Sequence, residues 1–218
     1  MKGNLGRVIL ICEWIVRLAM LNFLWILYTI LGFIVLGAMP ATIALFSVVR
    51  KWINGETLSL SRFFWLSFRE NFLKANLAGI LLFIIGFVLY FDYQFLQAGQ
   101  HPMLNILSFI ILFMACLYFV MLLYFFPIFV HYELSVIGYL KNSLLMAILY
   151  PKQTFLMITA LIFVYYIGVS YPVLIPFFGP SILALLLMWF SKKAFLRVEQ
   201  NKRKFLEGLH GGVEFEKQ

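Results

Sequence analysis

The chain has 218 residues and a formal net charge of +8; hydrophobic residues make up 64% of it and charged residues 12%. An ordinary soluble domain is about 45–50% apolar and about 25% charged. A mean hydropathy of +0.97 excludes a water-soluble globule, which needs more polar surface than this chain owns, and excludes disorder on the same ground. The class that remains is an all-α, polytopic integral membrane helix bundle of five to six spans.

The charges are spaced to fit that class. Arg17 and Arg50 enclose 32 residues without Asp, Glu, Lys or Arg; Lys74 and Asp92 enclose 17, Asp92 and Glu133 enclose 40, and Lys152 and Lys192 enclose 39. A helix crosses the hydrocarbon with about 20 apolar residues, so these gaps hold one or two, one, one and two spans. No Lys or Arg lies in 75–140 or 153–191. Basic loops stay cytoplasmic, which places the turns inside those stretches outside and the C-terminus in the cytoplasm. A basic tail that meets anionic headgroups accounts for the positive charge. No basic–aromatic reading motif accompanies it, so nucleic acid is not an expected partner; membrane lipids are.

In chain order, residues 3–17 read as a helix in which Glu13 and Arg17, four apart, can pair. The first span runs from about Leu18 to Leu36, too long for a signal-peptide core and therefore retained. Gly32 and Gly37 suit close helix packing in its outer half. A turn at 37–39 then hands over to Pro40 at the first helical position, where a missing N–H costs nothing. The next helix, ending at Ile53, stops at Asn54–Gly55, a good C-cap. Its roughly fourteen residues reach only ~21 Å, against a ~30 Å core. Snorkelling by Arg50 and Lys51 and anchoring by Trp52 extend its reach. If this helix crosses or returns, all basic groups share one face. Parity thus favours six spans, one of them short or re-entrant.

Residues 57–74 place Leu60, Phe64, Phe68 and Phe72 at four-residue intervals, with Arg62, Arg69, Glu70 and Lys74 mainly off that stripe. The pattern predicts an amphipathic helix lying in the cytoplasmic interface. The third span is Ala75 to Phe95, with Asp92 between two tyrosines at its outer end, and 96–102 is an external loop. The fourth runs from Met103 to about Phe126 and is interrupted at Pro127. A second inner amphipathic segment, 134–150, carries Lys141 and Asn142 and stops at Pro151. The fifth span is Thr154 to about Tyr171. Pro172, Pro176 and Pro180 punctuate an outer turn, and the sixth span is Ser181 to Phe195. A basic helix continues to about Leu206, closing a single domain of 1–206 before a flexible tail, 207–218.

Little chemistry is on offer. There is no GxSxG, HExxH, Walker loop or GxGxxG, so neither an enzyme nor a cofactor is expected. His101, His131 and His210 lie in separate segments without metal-ligand spacing. His131 and Glu133, two apart, point to different sides of a helix. Cys12 and Cys116 read as buried free thiols. The span interiors hold no ionisable group, which coupled carriers usually need. Polar residues such as Asn22, Thr42 and Asn76 more often hydrogen-bond between helices, yet Asn22 beside Trp25 is the one most open to a functional role. A polar path past these three is the basis of a transporter or channel reading.

The stretch LNFLWILYTILGFIVLGAMPATIALFSVVRKWINGE (21–56) and FFWLSFRENFLKAN (63–76) resemble the YesL-like family of small bacterial membrane proteins. The shared pattern is an Asn in the first span, spaced glycines, a Pro-Ala-Thr turn and a basic-Trp-Gly end. YFFPIFVHYELSVIGYLKNSLLMAI (124–148) is similar to the family's Pro-centred segment and Lys-Asn helix; it departs at His131–Tyr132, where a small or basic residue and an aromatic are the pattern. The resemblance covers about 1–205. Family members are uncharacterised, and they accompany carbohydrate uptake transporters and extracellular-sensing histidine kinases. The resemblance therefore implies a non-enzymatic accessory protein, with a sugar ABC transporter permease or a sensor histidine kinase as partner. The alternative is a small transporter or channel for a sugar-like or lipid-like solute. The residues expected to carry binding are Asn22, Trp25, Gly32, Gly37, Pro40, Thr42, Arg50, Trp52, Asn76, Pro127, Lys141 and Asn142, with the Gly32/Gly37 face and the inner amphipathic helices as contact surfaces.

Overall fold

The computed structural model describes residues 2–97 and 102–215; most of the predicted 96–102 loop and the last three residues of the tail lie outside them. Among the described residues there are seven helices and no strand: α1 (Lys2–Leu31), α2 (Val35–Ile53), α3 (Leu60–Gln97), α4 (Pro102–His131), α5 (Val136–Leu149), α6 (Pro151–Ser170) and α7 (Leu174–Phe215). All but α5 contain a stretch long and apolar enough to cross a membrane. The exterior of the bundle is apolar, with Phe23, Leu77, Phe109 and Phe163 exposed. A soluble monomer does not sustain such a surface, whereas hydrocarbon does. Every span is a helix, so its backbone groups bond internally, as lipid demands.

Helix α2 is the most enclosed span and touches α1, α3, α4 and α7. Its Ala41, Ala44, Val48 and Val49 have no exposed surface, and neither have Ala75 and Ala78 of α3. A Cβ added at Gly79 would meet Met39 Cγ at 2.6 Å. Small side chains let the two backbones approach, the usual route to dispersion energy in lipid.

The first break falls earlier than the sequence suggests. Helix α1 ends at Leu31, and Gly37, Ala38, Met39 and Pro40 all lie inside α2. Ile34 N–H donates to Thr29 O at 2.8 Å and Phe33 N–H to Ile30 O at 3.0 Å. That is a Schellman ending, and its left-handed position is taken by Phe33 at φ 61°, not by either glycine. Ile34 follows at φ 59° and ψ −68°, the centre of a γ-turn closed by Val35 N–H on Phe33 O. Gly32 and Gly37 pack on one another: a Cβ on Gly37 would sit 2.9 Å from Gly32 Cα. Both are buried, so they are not the contact face the sequence suggested. The earlier break gives α2 19 residues, about 28 Å at 1.5 Å per residue. It is therefore neither short nor re-entrant in length.

The expected cap of α2 forms as read. Gly55 has φ 80°, Gly55 N–H reaches Trp52 O and Glu56 N–H reaches Lys51 O. The expected boundary near residue 74 does not form. Residues 60–74 are the first part of α3, which continues without interruption for 38 residues. Phe64 and Phe68 of the stripe are buried against Tyr28 of α1, with ring centroids 5.1 and 5.2 Å apart. The stripe finds its apolar partner inside the chain and not in the lipid interface. The second amphipathic segment is a separate helix, α5, capped by Ser135 Oγ, which accepts from Gly138 N–H.

Prolines bend expectation elsewhere. Helix α4 runs through Pro127 to His131, and α7 already begins at Leu174, so Pro176 and Pro180 lie in it. Pro151 opens α6 at its first turn. The backbone of α7 is helical to Phe215, past the glycines where fraying was expected. Cys12 and Cys116 are free but exposed, on the apolar exterior and not in the core.

Candidate functional site

Asn22, Trp25 and Thr42, all singled out in the sequence, are drawn into cross-helix hydrogen bonds. Pro180 lacks an N–H, which leaves the carbonyl of Pro176 without its partner one turn on. Asn22 of α1 supplies the missing donor: its Nδ2 bonds Pro176 O. Asn22 is fully buried, and its Oδ1 has no partner. Three residues later, Trp25 Nε1 donates to Thr42 Oγ1 at 3.0 Å, and Thr42 Oγ1 donates on to Ala38 O at 2.7 Å. The first contact ties α1 to α7 and the second ties α1 to α2. Asn76 is not part of this arrangement; its amide returns to Phe72 O of its own helix at 2.8 Å. The polar path proposed from the sequence is thus not assembled.

Beside Trp25 and Thr42 lies a cavity of about 1120 Å³, walled by α2, α4, α6 and α7. Phe46, Phe126, Leu161, Ile175, Leu183 and Leu187 are typical of its surface; Thr42 and Thr159 supply the hydroxyls of its aliphatic side chains. Thr42 is already bonded as described, and Thr159 Oγ1 returns to Phe155 O. A sugar-binding cleft needs convergent polar groups, and this surface has few to offer.

The cations gather at one end of the bundle. Arg50 of α2 donates to Val130 O in the last turn of α4. Lys192 of α7 donates to Ile53 O at 3.1 Å and to Asn54 Oδ1 at 2.9 Å. Each cation sits on the negative end of a neighbour's helix dipole and bonds a carbonyl that the helix itself leaves free. Lys74 of α3 lies over Tyr139 of α5 at 5.0 Å and Phe129 of α4 at 5.9 Å, a cation–π contact that joins three helices. His131 stacks on Phe195 at 4.5 Å, and its Nε2 is 3.8 Å from a Glu199 carboxylate oxygen. Glu133 is exposed, so the acid near His131 comes from α7, 68 positions on. Burial, and after it the Glu199 carboxylate and the Tyr150 phenol, push the neighbouring Tyr132 phenol up, keeping it neutral.

The remaining sequence candidates fall as follows. Trp52 packs edge-on against Trp14, centroids 5.9 Å apart. Pro127 is buried in α4 and Pro40 in α2. Lys141 is exposed, and Asn142 Nδ2 bonds Gly138 O within α5. Sequence reasoning missed Glu199, Trp14 and Trp189 as members of the basic end of the bundle, although tryptophans at span ends near basic residues are the available signal. Among the described residues no group of His, Cys, Asp and Glu could hold a metal.

This architecture is that of a multi-pass helical membrane protein. A family model described as a protein of unknown function, DUF624, matches residues 18–93. The chain is 37% identical over 200 residues to the uncharacterized protein YteU of Bacillus subtilis, covering 91% of this chain and 90% of the relative. It is 33% identical to the uncharacterized YesV of the same organism over 86% of this chain and 91% of that one, and 32% identical to the uncharacterized YesL over 88% and 91%. The chain belongs to this YesL-like DUF624 family. No solved structure matches it.

Proposed function

We propose that this chain is a non-enzymatic accessory protein of the bacterial cytoplasmic membrane that docks against another membrane protein, either the permease of a carbohydrate ABC uptake transporter or a sensor histidine kinase. The observation that carries the reading is the large lateral cavity: its walls are overwhelmingly apolar, and no Asp, Glu, His, Lys or Arg lines it. Such a surface suits the apolar flank of a foreign span, because helices in lipid associate through packing. The family's resemblance supplies the choice of partner. The gathering of Arg50, Lys74 and Lys192 at one end of the bundle supports an orientation with that end, and the C-terminus, in the cytoplasm. A photocrosslinking residue at Phe163, which lines the cavity, tests the reading in native membranes. Adducts with a sugar permease or a kinase are expected; adducts with neither, together with purification of neither in mild detergent, overturn it.

A second reading is favoured by the same apolar walls: a carrier for a lipid-like solute. Sugar-like cargo gains no support from this surface. Flux of a fluorescent lipid in proteoliposomes above that of protein-free vesicles would replace the accessory reading with this one.

A further inference from the structure

Tryptophans 14, 52 and 189 are far apart in sequence, and two of them are isolated from any motif. The fold brings all three to one hollow of about 630 Å³ at the basic end of the bundle, between α1, the end of α2 and α7. Lys192 and Lys193 line the same hollow, with Leu186 about two turns earlier on α7. Its lining combines aliphatic, indole and ammonium groups. Indole rings settle at the headgroup level of a bilayer, and basic pockets between spans recognise anionic headgroups.

The two lysines are not equivalent. Lys192 is engaged on Ile53 O and Asn54 Oδ1, which uses two of the three donors an ammonium owns. Lys193 is exposed and rests 3.4 Å above the Trp189 ring, and among the described residues no carboxylate pairs with it. Arg17 lies 5.8 Å over the Trp14 ring but is ion-paired with Glu13. Of the acids nearby, Glu13 is thus spent on Arg17, Glu56 on Lys51, and Glu199 faces His131. None lines the hollow. Among the described residues, the site is left with uncompensated positive charge beside aliphatic and indole side chains.

We propose that this hollow binds one anionic phospholipid: its phosphate on the ammonium groups of Lys193 and Lys192, its glycerol region between the tryptophans, and the start of an acyl chain along Leu186. The occupant is set by charge complementarity, since a zwitterionic lipid brings its own cation to a site that already carries two. This inference does not depend on which protein the cavity accepts.

The full-length protein, reconstituted in vesicles with phosphatidylglycerol or phosphatidylcholine brominated on the acyl chain, tests it through tryptophan quenching. Three of the five tryptophans report on the hollow. Quenching by the brominated anionic lipid at low mole fraction is expected to saturate, whereas the zwitterionic lipid quenches only in proportion to its abundance. Lys193→Gln is expected to weaken the anionic preference about five-fold, the share of one cation at a charged surface. Lys152→Gln, an exposed cation at the start of α6, is expected to leave it unchanged. Equal quenching by both lipids, or equal loss in the two variants, overturns the proposal. Lys193 touches no helix end, so its replacement leaves the caps of α2 and α4 in place, and circular dichroism confirms the fold in each sample.

Discussion

The bond from Asn22 to Pro176 O makes a prediction that can be isolated from its surroundings. Asn22→Leu removes the donor and leaves the Pro176 carbonyl without a partner from the protein, because Pro180 has no N–H to offer it. The same change also removes an unpartnered Oδ1, which by itself is a gain. The single variant therefore mixes two opposing effects and says little alone. Pro180→Ala separates them. Alanine at 180 returns an N–H to Pro176 O within α7, so Asn22 is no longer needed there, while the Oδ1 gain is the same in both backgrounds and cancels. Asn22→Leu is thus expected to cost more with proline at 180 than with alanine. The difference should be about 0.6 kcal/mol and no more than about 1.7, the range of side-chain hydrogen bonds between membrane helices. By the scaling of unfolding entropy with chain length this is about 1–7 °C in midpoint. A double-mutant cycle of unfolding in mixed dodecyl sulfate micelles measures it. Equal costs in the two backgrounds would refute the account of why this asparagine is where it is.

Other expectations follow from single features. Phe33→Gly relieves a left-handed residue that points into lipid, at 86% exposure, and is expected to stabilise the protein by about 1 kcal/mol; a lower unfolding midpoint would mean that the turn is held by the phenyl ring. Gly37→Leu drives a side chain into Thr29 O and Gly32 Cα, and accumulation in the membrane should fall sharply, as judged by immunoblot; wild-type levels would show that the hairpin between α1 and α2 can open. Arg50→Gln takes a charged donor from the last turn of α4 and should cost about 1.5–3 kcal/mol, with enhanced amide exchange at 128–131; unchanged exchange there would place the stabilisation elsewhere. Thr42→Val frees Trp25 Nε1, and a blue shift of the Trp25 emission in a variant lacking the other four tryptophans is the expected sign.

Much of the membrane architecture follows from the sequence alone. Hydropathy summed over about 20 residues is a local quantity, and so are the caps: Asn54–Gly55 and Pro151 sit where their own backbone preferences put them. Six spans, a short helix between the fourth and fifth, and membership of the family are all legible at that scale. The tertiary structure decided what local patterns leave open. The break between α1 and α2 falls on Phe33 and not on Gly37, since the close approach of Gly32 to Gly37 outweighs the usual preference for glycine in the left-handed position. The stripe of Phe64 and Phe68 looks the same whether it meets lipid or Tyr28, because both are apolar. Asn22 finds Pro176, 154 positions away, and Trp14 finds Trp52 and Trp189, because helices in lipid are placed by packing and hydrogen bonding between spans. Those contacts are not encoded in the periodicity of any one of them.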